Sequence, residues 1–297
     1  MMISGILLMD KPAGCTSFDV VRRVKKALRV RKIGHLGTLD PFATGLLPLC
    51  MGEATKLAPF LMPEPKTYRA TVKLGEATDT QDLTGRVTAR SEKLPRPEEV
   101  YAAAARFVGE IEQVPPMYSA VHYQGQRAYK LARRGEKVDL PPRKVTIYRL
   151  EVEAVALPEV AITVTCSQGT YIRTLAADLG AALNCGGHLT ALRRLAVGAF
   201  RVEEALPLAA LENLSLEELA GRIIPLRDCL PGLRPAPVEP EAAQRLRQGQ
   251  PVPLSENGFR EGEQVRVLAA GELVAVAQVR RAAPQAVLAP IRVFLSG

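Results

Sequence analysis

No apolar run in the 297 residues approaches the roughly 18–20 a membrane-spanning helix requires. The opening MMISGILLMDKP has no basic stretch ahead of its apolar run and no evident cleavage site, so it reads as a strand rather than a secretory signal, and a cytoplasmic address is expected. Cys15, Cys50, Cys166, Cys185 and Cys229 are odd in number, widely spaced and contain no Cys-x-x-Cys pair. That argues against a disulfide framework and a zinc knuckle. His35, His122 and His188 show no ligand spacing either, so reduced thiols and no metal are expected. Gly-x-x-x-x-Gly-Lys-Ser/Thr is missing, which excludes a Walker loop, and so is the Gly-x-Ser-x-Gly elbow of hydrolases. No internal repeat or low-complexity tract is visible.

What is present is globular and basic. Hydrophobic residues make up 47% and charged residues 24%, ordinary values for a folded chain. Lys plus Arg number 39 against 31 Asp plus Glu, a net charge of +8, which suggests a polyanionic partner. The charge is unevenly spread. Arg22 to Lys32 holds seven basic residues in eleven and no acid, whereas everything from Arg234 onward carries eight Arg against six Glu. An acid-free run of that density is either a solvated helix face or a nucleic-acid contact.

Periodicity places the elements. Ile3 to Met9 reads as a buried strand. Thr16 begins a helix with Asp19 as capping-box partner, and Phe18, Val21, Val24 and Leu28 form its apolar stripe. Lys66 to Gly75 alternates as a half-buried strand with Tyr68 on its apolar side. Pro97 to Val108 is helical, and Arg127 to Arg134 is a short basic helix ending at Gly135. Val145 to Val155, Val160 to Cys166 and Thr190 to Gly198 are strands around a helix over Tyr171 to Asn184. Pro231 to Pro240, with four prolines, reads as a linker to a small β-rich region. The elements mix without strict alternation, which predicts an α+β fold on a large, mostly antiparallel sheet.

Three clusters could carry chemistry. In GHLGTLDPFATGLLP, Gly34 to Pro48, three glycines allow close backbone approach, and the lone carboxylate Asp40 stands among Leu39, Pro41, Phe42 and Ala43. Such a carboxylate is either a cap for a following helix or a buried acid with a raised pKa. A nucleophilic Cys–His pair, such as Cys15 with His35, also stays open. Tyr68 is either a core residue or a stacking face for a base. Arg173 falls in the first turn of its helix, where the dipole offers a cation nothing, so a carboxylate is its natural partner.

GHLGTLDPFATGLLP resembles the catalytic motif of the TruB-type tRNA pseudouridine synthases, the family that modifies uridine-55 in the T loop. GILLMDKPAGCTSFDVV, KTYRATVKLGEATDTQDLTG, VPPMYSAVHYQGQRAYKLARRGEKVDLPPRKVTIY, CSQGTYIRTLAADLG and HLTALRRLAVGAF resemble further blocks of that family, in order, from Gly5 to about Phe200. The resemblance implies a pseudouridine synthase fold: a mixed, mostly antiparallel sheet flanked by helices over 1–230, with an RNA-gripping insertion at about 115–145. A small β-rich PUA-like domain would occupy 231–297.

It further implies that Asp40 is the essential carboxylate, either attacking ribose C1′ or deprotonating C2′. Arg173 would pair with it. Tyr68 would stack on the uracil near C5, Tyr171 and Leu192 would wall the pocket, His35 would meet the flipped nucleotide, and Lys11 would lie at the rim. Arg22, Arg23, Lys26, Arg127, Lys130 and Arg133 would touch phosphates. The reaction is redox-neutral and calls for no cofactor. A monomer acting on the T stem-loop of tRNA is expected; the alternative is a non-catalytic RNA-binding or tRNA-folding chaperone on the same fold.

Overall fold

The computed structural model describes every residue except 1, 2, 63, 64, 120, 124, 135, 137, 256, 257, 283, 284, 296 and 297. The fold is α+β. Its main sheet runs in the order Leu206–Pro207, Gly5–Lys11, Thr44–Met51, Gly187–Val197, Lys66–Leu74, Glu159–Cys166, Arg143–Ala156 and Gly109–Gln113. All neighbours on this path are antiparallel except two pairs, Gly5–Lys11 with Leu206–Pro207 and Thr44–Met51 with Gly187–Val197. The second exception matters, because it lays Thr44 and Gly45 beside Arg193 and Arg194. The sheet is therefore the large, mostly antiparallel one that the alternation predicts.

The helix Ser17–Ala27 starts where its caps dictate. The Asp19 amide donates to Thr16 Oγ1 at 3.1 Å, and the Thr16 amide donates back to Asp19 Oδ2 at 3.0 Å. Such a cap contributes about 1 kcal/mol. The buried stripe is Val20, Val21, Val24 and Leu28; Phe18, expected in it, is 70% exposed. The reason is local: the first turn presents Ser17 inward to a hydrogen-bonding partner, which rotates Phe18 outward. Helix Ile172–Ala182 buries Ile172, Leu175, Ala176 and Leu179 against the sheet as its spacing predicts. No helix among the described residues is long and apolar enough to cross a membrane.

The proline-rich stretch is not a free linker. Arg234–Pro237 is an edge strand paired in parallel with Gln264–Ala269. Prolines at 235 and 237 alternate with Arg234, Ala236 and Val238, so the amides that face the ladder are kept, as an edge strand requires. The five-stranded C-terminal sheet continues through Glu272–Ala282, Gln285–Val293 and Val252–Pro253, with helix Pro240–Arg247 against it. It is joined to the rest by a shared core. Phe294, Leu273 and Val276 pack with Ile6, Leu46, Cys50, Cys229 and Leu230. Polar ties accompany it: Lys56 Nζ donates to the Val293 carbonyl at 3.2 Å, the Leu295 amide to Glu53 Oε2 at 3.0 Å, and Arg227 meets Glu272 at 3.1 Å.

Candidate active site

Asp40 does not cap a helix. The chain turns at Asp40, with the Ala43 amide donating to the Asp40 carbonyl at 3.1 Å, and enters the strand Thr44–Met51. Its carboxylate points instead at Arg173. Arg173 Nη2 donates to Asp40 Oδ1 at 3.3 Å, and Nε stands 2.9 Å from Oδ2 as an ion-pair contact without a directed hydrogen bond. Arg173 is itself buried in the first turn of its helix. It also donates to the carbonyls of Thr80 at 3.1 Å and Tyr118 at 2.9 Å, and Nη1 lies 3.5 Å from Asp82 Oδ2. One guanidinium thus holds two acids drawn from two different loops.

Asp82 is not among the residues singled out from the sequence, although it stands in the block KTYRATVKLGEATDTQDLTG. It is buried, and its Oδ1 accepts from Thr80 Oγ1 at 2.7 Å, the Thr84 amide at 2.9 Å and Thr84 Oγ1 at 2.6 Å. An acid flanked by two hydroxyl residues at ±2 was the available signal.

Burial pushes the Asp40 carboxyl above the ordinary carboxylate range; Arg173 opposes the shift, Asp82 adds to it and Lys11 opposes it. A third of its side chain stays exposed, so the acid is open to a ligand from one side. The residues that follow it, Pro41 and Phe42, line a cleft of about 690 Å³ together with Thr44, Arg69, Leu192 and Arg193 among others.

The loop around Asp40 is fastened from three sides. Ser17 Oγ donates to the Leu39 carbonyl at 3.1 Å and accepts from the Leu39 amide at 2.9 Å, tying the basic helix to the residue beside Asp40. Lys11, expected at the rim, is fully buried, and its ammonium donates to the carbonyls of Pro12 at 2.9 Å and Pro41 at 3.2 Å. Its pKa is lowered by burial, with Cys15 and Asp40 acting in the other direction. Arg194, which the sequence reading passed over, donates to the carbonyls of Leu46 at 2.7 Å and Gly37 at 3.1 Å. Gly45 is what permits this closeness: at φ 102°, a Cβ there would sit 2.3 Å from the Arg194 carbonyl oxygen.

The other expected residues fall as follows. Tyr68 and Leu192 are buried on one face of adjacent strands, where Tyr68 opposes Arg194 and Leu192 opposes Ala70. The Tyr68 phenol is raised by burial, partly offset by Arg194. Tyr171 caps the helix of Arg173, its backbone pinned by both ends of the Gln113 amide at 3.0 and 3.3 Å. His35 is half-buried with its pKa lowered by burial and by Arg194, so it is neutral at pH 7, and no described group satisfies its Nδ1. No hydrogen bond joins Cys15 to His35 among the described residues; Cys15 Sγ donates to the Pro12 carbonyl. All five cysteines are free. Arg22, Arg23 and Lys26 are exposed on the helix that carries Ser17. The side chains of Arg127, Lys130 and Arg133, and Gly135, lie outside the described residues, although the short helix Ala128–Arg133 is present.

Comparison with known proteins agrees over the whole chain. Residues 25–172 match the TruB family pseudouridylate synthase N-terminal domain. Residues 173–233 match the tRNA pseudouridylate synthase B C-terminal domain, and 236–294 the pseudouridine synthase II TruB C-terminal domain. The tRNA pseudouridine synthase B of Burkholderia pseudomallei (strain 668) is 45% identical over 300 residues, covering 99% of this chain and 98% of that protein. That of Geobacter sulfurreducens is 44% identical over 284 residues, covering 93% of each. Among solved structures, a Cbf5–Nop10–Gar1 complex matches with a TM-score of 0.75 at 27% identity, covering 99% of this chain and 85% of that one. An H/ACA RNP bound to a substrate RNA containing 2′-deoxyuridine shares the fold, with a TM-score of 0.75 at 24% identity over 99% of this chain and 86% of that one.

Proposed function

The chain belongs to the TruB family of pseudouridylate synthases, and we propose that it isomerises uridine-55 to pseudouridine in the T loop of tRNA, with Asp40 as the essential carboxylate. The observation that carries this reading is the ion pair of Asp40 with Arg173, 2.9 Å apart, with the next residues Pro41 and Phe42 lining an open cleft. A protein that only bound RNA would gain nothing from a partly exposed acid, held by a buried arginine, at the surface where a polyanion docks. This weighs against the chaperone alternative.

Pseudouridylation breaks the N1 to C1′ bond, turns the base and rejoins it through C5. Asp40 either attacks C1′ or removes a proton from C2′. Both routes need it ionised, and burial works against that. Arg173 supplies the opposing charge from within the protein. Tyr68 stacks on the uracil near C5, where a proton leaves, and Leu192 and Tyr171 wall the pocket. His35, neutral and with an unsatisfied Nδ1, meets the flipped nucleotide. Lys11 acts from beneath, holding the Pro41 carbonyl and with it the turn at Asp40.

The target base must leave its stack, which costs a few kcal/mol, so affinity has to come from elsewhere. Arg22, Arg23 and Lys26, with Arg127, Lys130 and Arg133 in the 115–145 insertion, provide phosphate contacts that position the RNA. In this reading, residues 1–230 form the catalytic domain and 231–297 a PUA-like domain that makes a secondary tRNA contact, and the protein acts as a monomer. The isomerisation transfers no electrons to or from the substrate, so it calls for no cofactor. The deciding experiment incubates an unmodified tRNA transcript with the protein and maps pseudouridine by chemical labelling. Modification at position 55 is expected; an unmodified T loop overturns the proposal.

A further inference from the structure

Arg194 is 1% exposed, among the largest fully buried side chains of the protein. Its neighbours' acids are already committed: Asp40 and Asp82 to Arg173, and Asp10 to Arg193. Among the described residues no carboxylate lies within ion-pair distance of it. A buried guanidinium without a counter-ion is costly, and it is always charged. Two of its donors are used on the carbonyls of Leu46 and Gly37, which bracket the Asp40 loop. Strand register sets Arg194 directly opposite Tyr68, on the same face. The guanidinium charge opposes the upward push that burial gives the Tyr68 phenol.

We propose that Arg194 is a positioning residue that acts through Tyr68, balancing the charge of its phenolate while the uracil turns. This rests on the reading above that Tyr68 stands near C5, and adds that its hydroxyl carries the protons. The proton balance then runs through a phenolate. Breaking the N1 to C1′ bond leaves the bonding pair on uracil. Tyr68 gives its hydroxyl proton to N1; the O–H bond breaks, an N1–H bond forms, and the charge moves to the tyrosine oxygen. Uracil then joins C1′ through C5. The C5–H bond breaks, its electron pair restores the C5–C6 double bond, and the proton returns to Tyr68. One hydrogen has left C5, one has appeared at N1, and the tyrosine is regenerated. Between the two transfers the phenolate is buried, facing Asp40 and Cys166 as well as Arg194. Arg194 is the fixed positive charge on that face, and fixed charges aimed at a developing anion are effective because they need no reorganisation.

The test compares Arg194→Met, Arg194→Lys and Tyr68→Phe in single turnover. The substrate is a tRNA transcript made with either protium or deuterium at C5 of its uridines. Arg194→Met is expected to bind tRNA within about threefold of the parent and to lose about 10²–10³ in rate, the cost of one such stabilising group. Its deuterium isotope effect should fall toward one, because proton transfer to N1, which forms the phenolate, becomes limiting. Arg194→Lys should recover part of the rate and raise the isotope effect again. A folded Met variant that turns over normally, or that slows with an unchanged isotope effect, overturns the proposal; the second outcome is what a merely structural arginine would give. If Arg194→Met does not fold, the Lys variant decides by the same two readings. Tyr68→Phe separates the premise from the inference. Normal turnover by Tyr68→Phe removes the role of Tyr68 itself, whereas a dead Tyr68→Phe beside an unaffected Arg194→Met removes only the role of Arg194.

Discussion

Arg173 Nε stands 2.9 Å from Asp40 Oδ2, although the two residues are 133 positions apart in the chain. The contact converts a carboxylate that burial pushes toward neutrality into one with a fixed cationic partner. Replacing Arg173 by Met leaves Asp40 and Asp82 facing each other without it. Removing one member of a buried ion pair costs about 3–5 kcal/mol. Urea unfolding should show a loss of that order, and pseudouridine formation should collapse. A variant as stable as the parent would mean that contacts independent of Arg173, such as those of Ser17 with Leu39 and of Thr80 and Thr84 with Asp82, hold these loops.

Asp82 offers a subtler test. Its charge helps raise the Asp40 pKa, against Arg173 and Lys11. Asp82→Asn removes that repulsion, so Asp40 should ionise at lower pH. Activity that depends on ionised Asp40 falls as pH drops through its pKa. The acid limb of the single-turnover profile should therefore move to lower pH in the variant. A limb that stays in place, or moves up, would assign Asp82 to orienting Arg173 rather than to tuning Asp40.

Much of this was legible in the sequence, for identifiable reasons. Tyr68 alternates cleanly with Thr67 and Arg69, so its burial follows from period two. Thr16 and Asp19 announce the first helix through a three-residue cap. An arginine in the first turn of its helix demanded an acid, and Asp40 answers it. What stayed hidden depends on tertiary register. Arg194 reads as one of two surface arginines in a strand, and only the parallel pairing with Thr44–Met51 turns it into the loop's anchor. Lys11 next to Pro12 looks exposed, yet its chain buries it beneath Pro41. Phe18 fits the apolar stripe by spacing, but Ser17 takes the inward position because it has Leu39 to hold.

The basic helix predicts a salt dependence. Arg22, Arg23 and Lys26 are exposed, and only Arg22 among them makes an ion pair within the described residues, a surface contact with Asp19 at 3.1 Å. Such a pair is worth about 0–1 kcal/mol and is readily exchanged for phosphate. Each phosphate contact adds about 0.7–0.9 to the slope of log affinity against log salt. Replacing all three by Gln should lower that slope by about 2–3. An unchanged slope would return the helix to a solvated face.

Phe294 tests how the C-terminal sheet is held. It is fully buried in the core it shares with Ile6, Cys229 and Leu230. A buried Phe→Ala change costs about 3–5 kcal/mol. Because the core is common to both parts, Phe294→Ala should lower the single unfolding transition of the whole chain. Two separate transitions in the parent protein, with only the smaller one moved by the substitution, would show instead that the C-terminal sheet folds on its own.

Asp40→Asn separates the catalytic reading from every structural one. The substitution keeps size and shape while removing the charge. Arg173 retains Asp82 and the carbonyls of Thr80 and Tyr118, so the loops should stay in place. Burial raises the Asp40 pKa, so the folded state prefers the protonated acid. Its contribution to stability is present at low pH and declines as pH rises from the ordinary value of 3.8 through the raised one. The amide has no such dependence. The variant should accordingly fold at pH 7, with a stability that changes less across the mildly acidic range than that of the parent. tRNA affinity should persist, because it rests on the basic surface and the stacking groups. Pseudouridine formation should become undetectable, since an amide is a poor nucleophile and a negligible base at neutral pH. A folded Asn variant that still forms pseudouridine would take Asp40 out of the chemistry and leave it a role in shaping the turn.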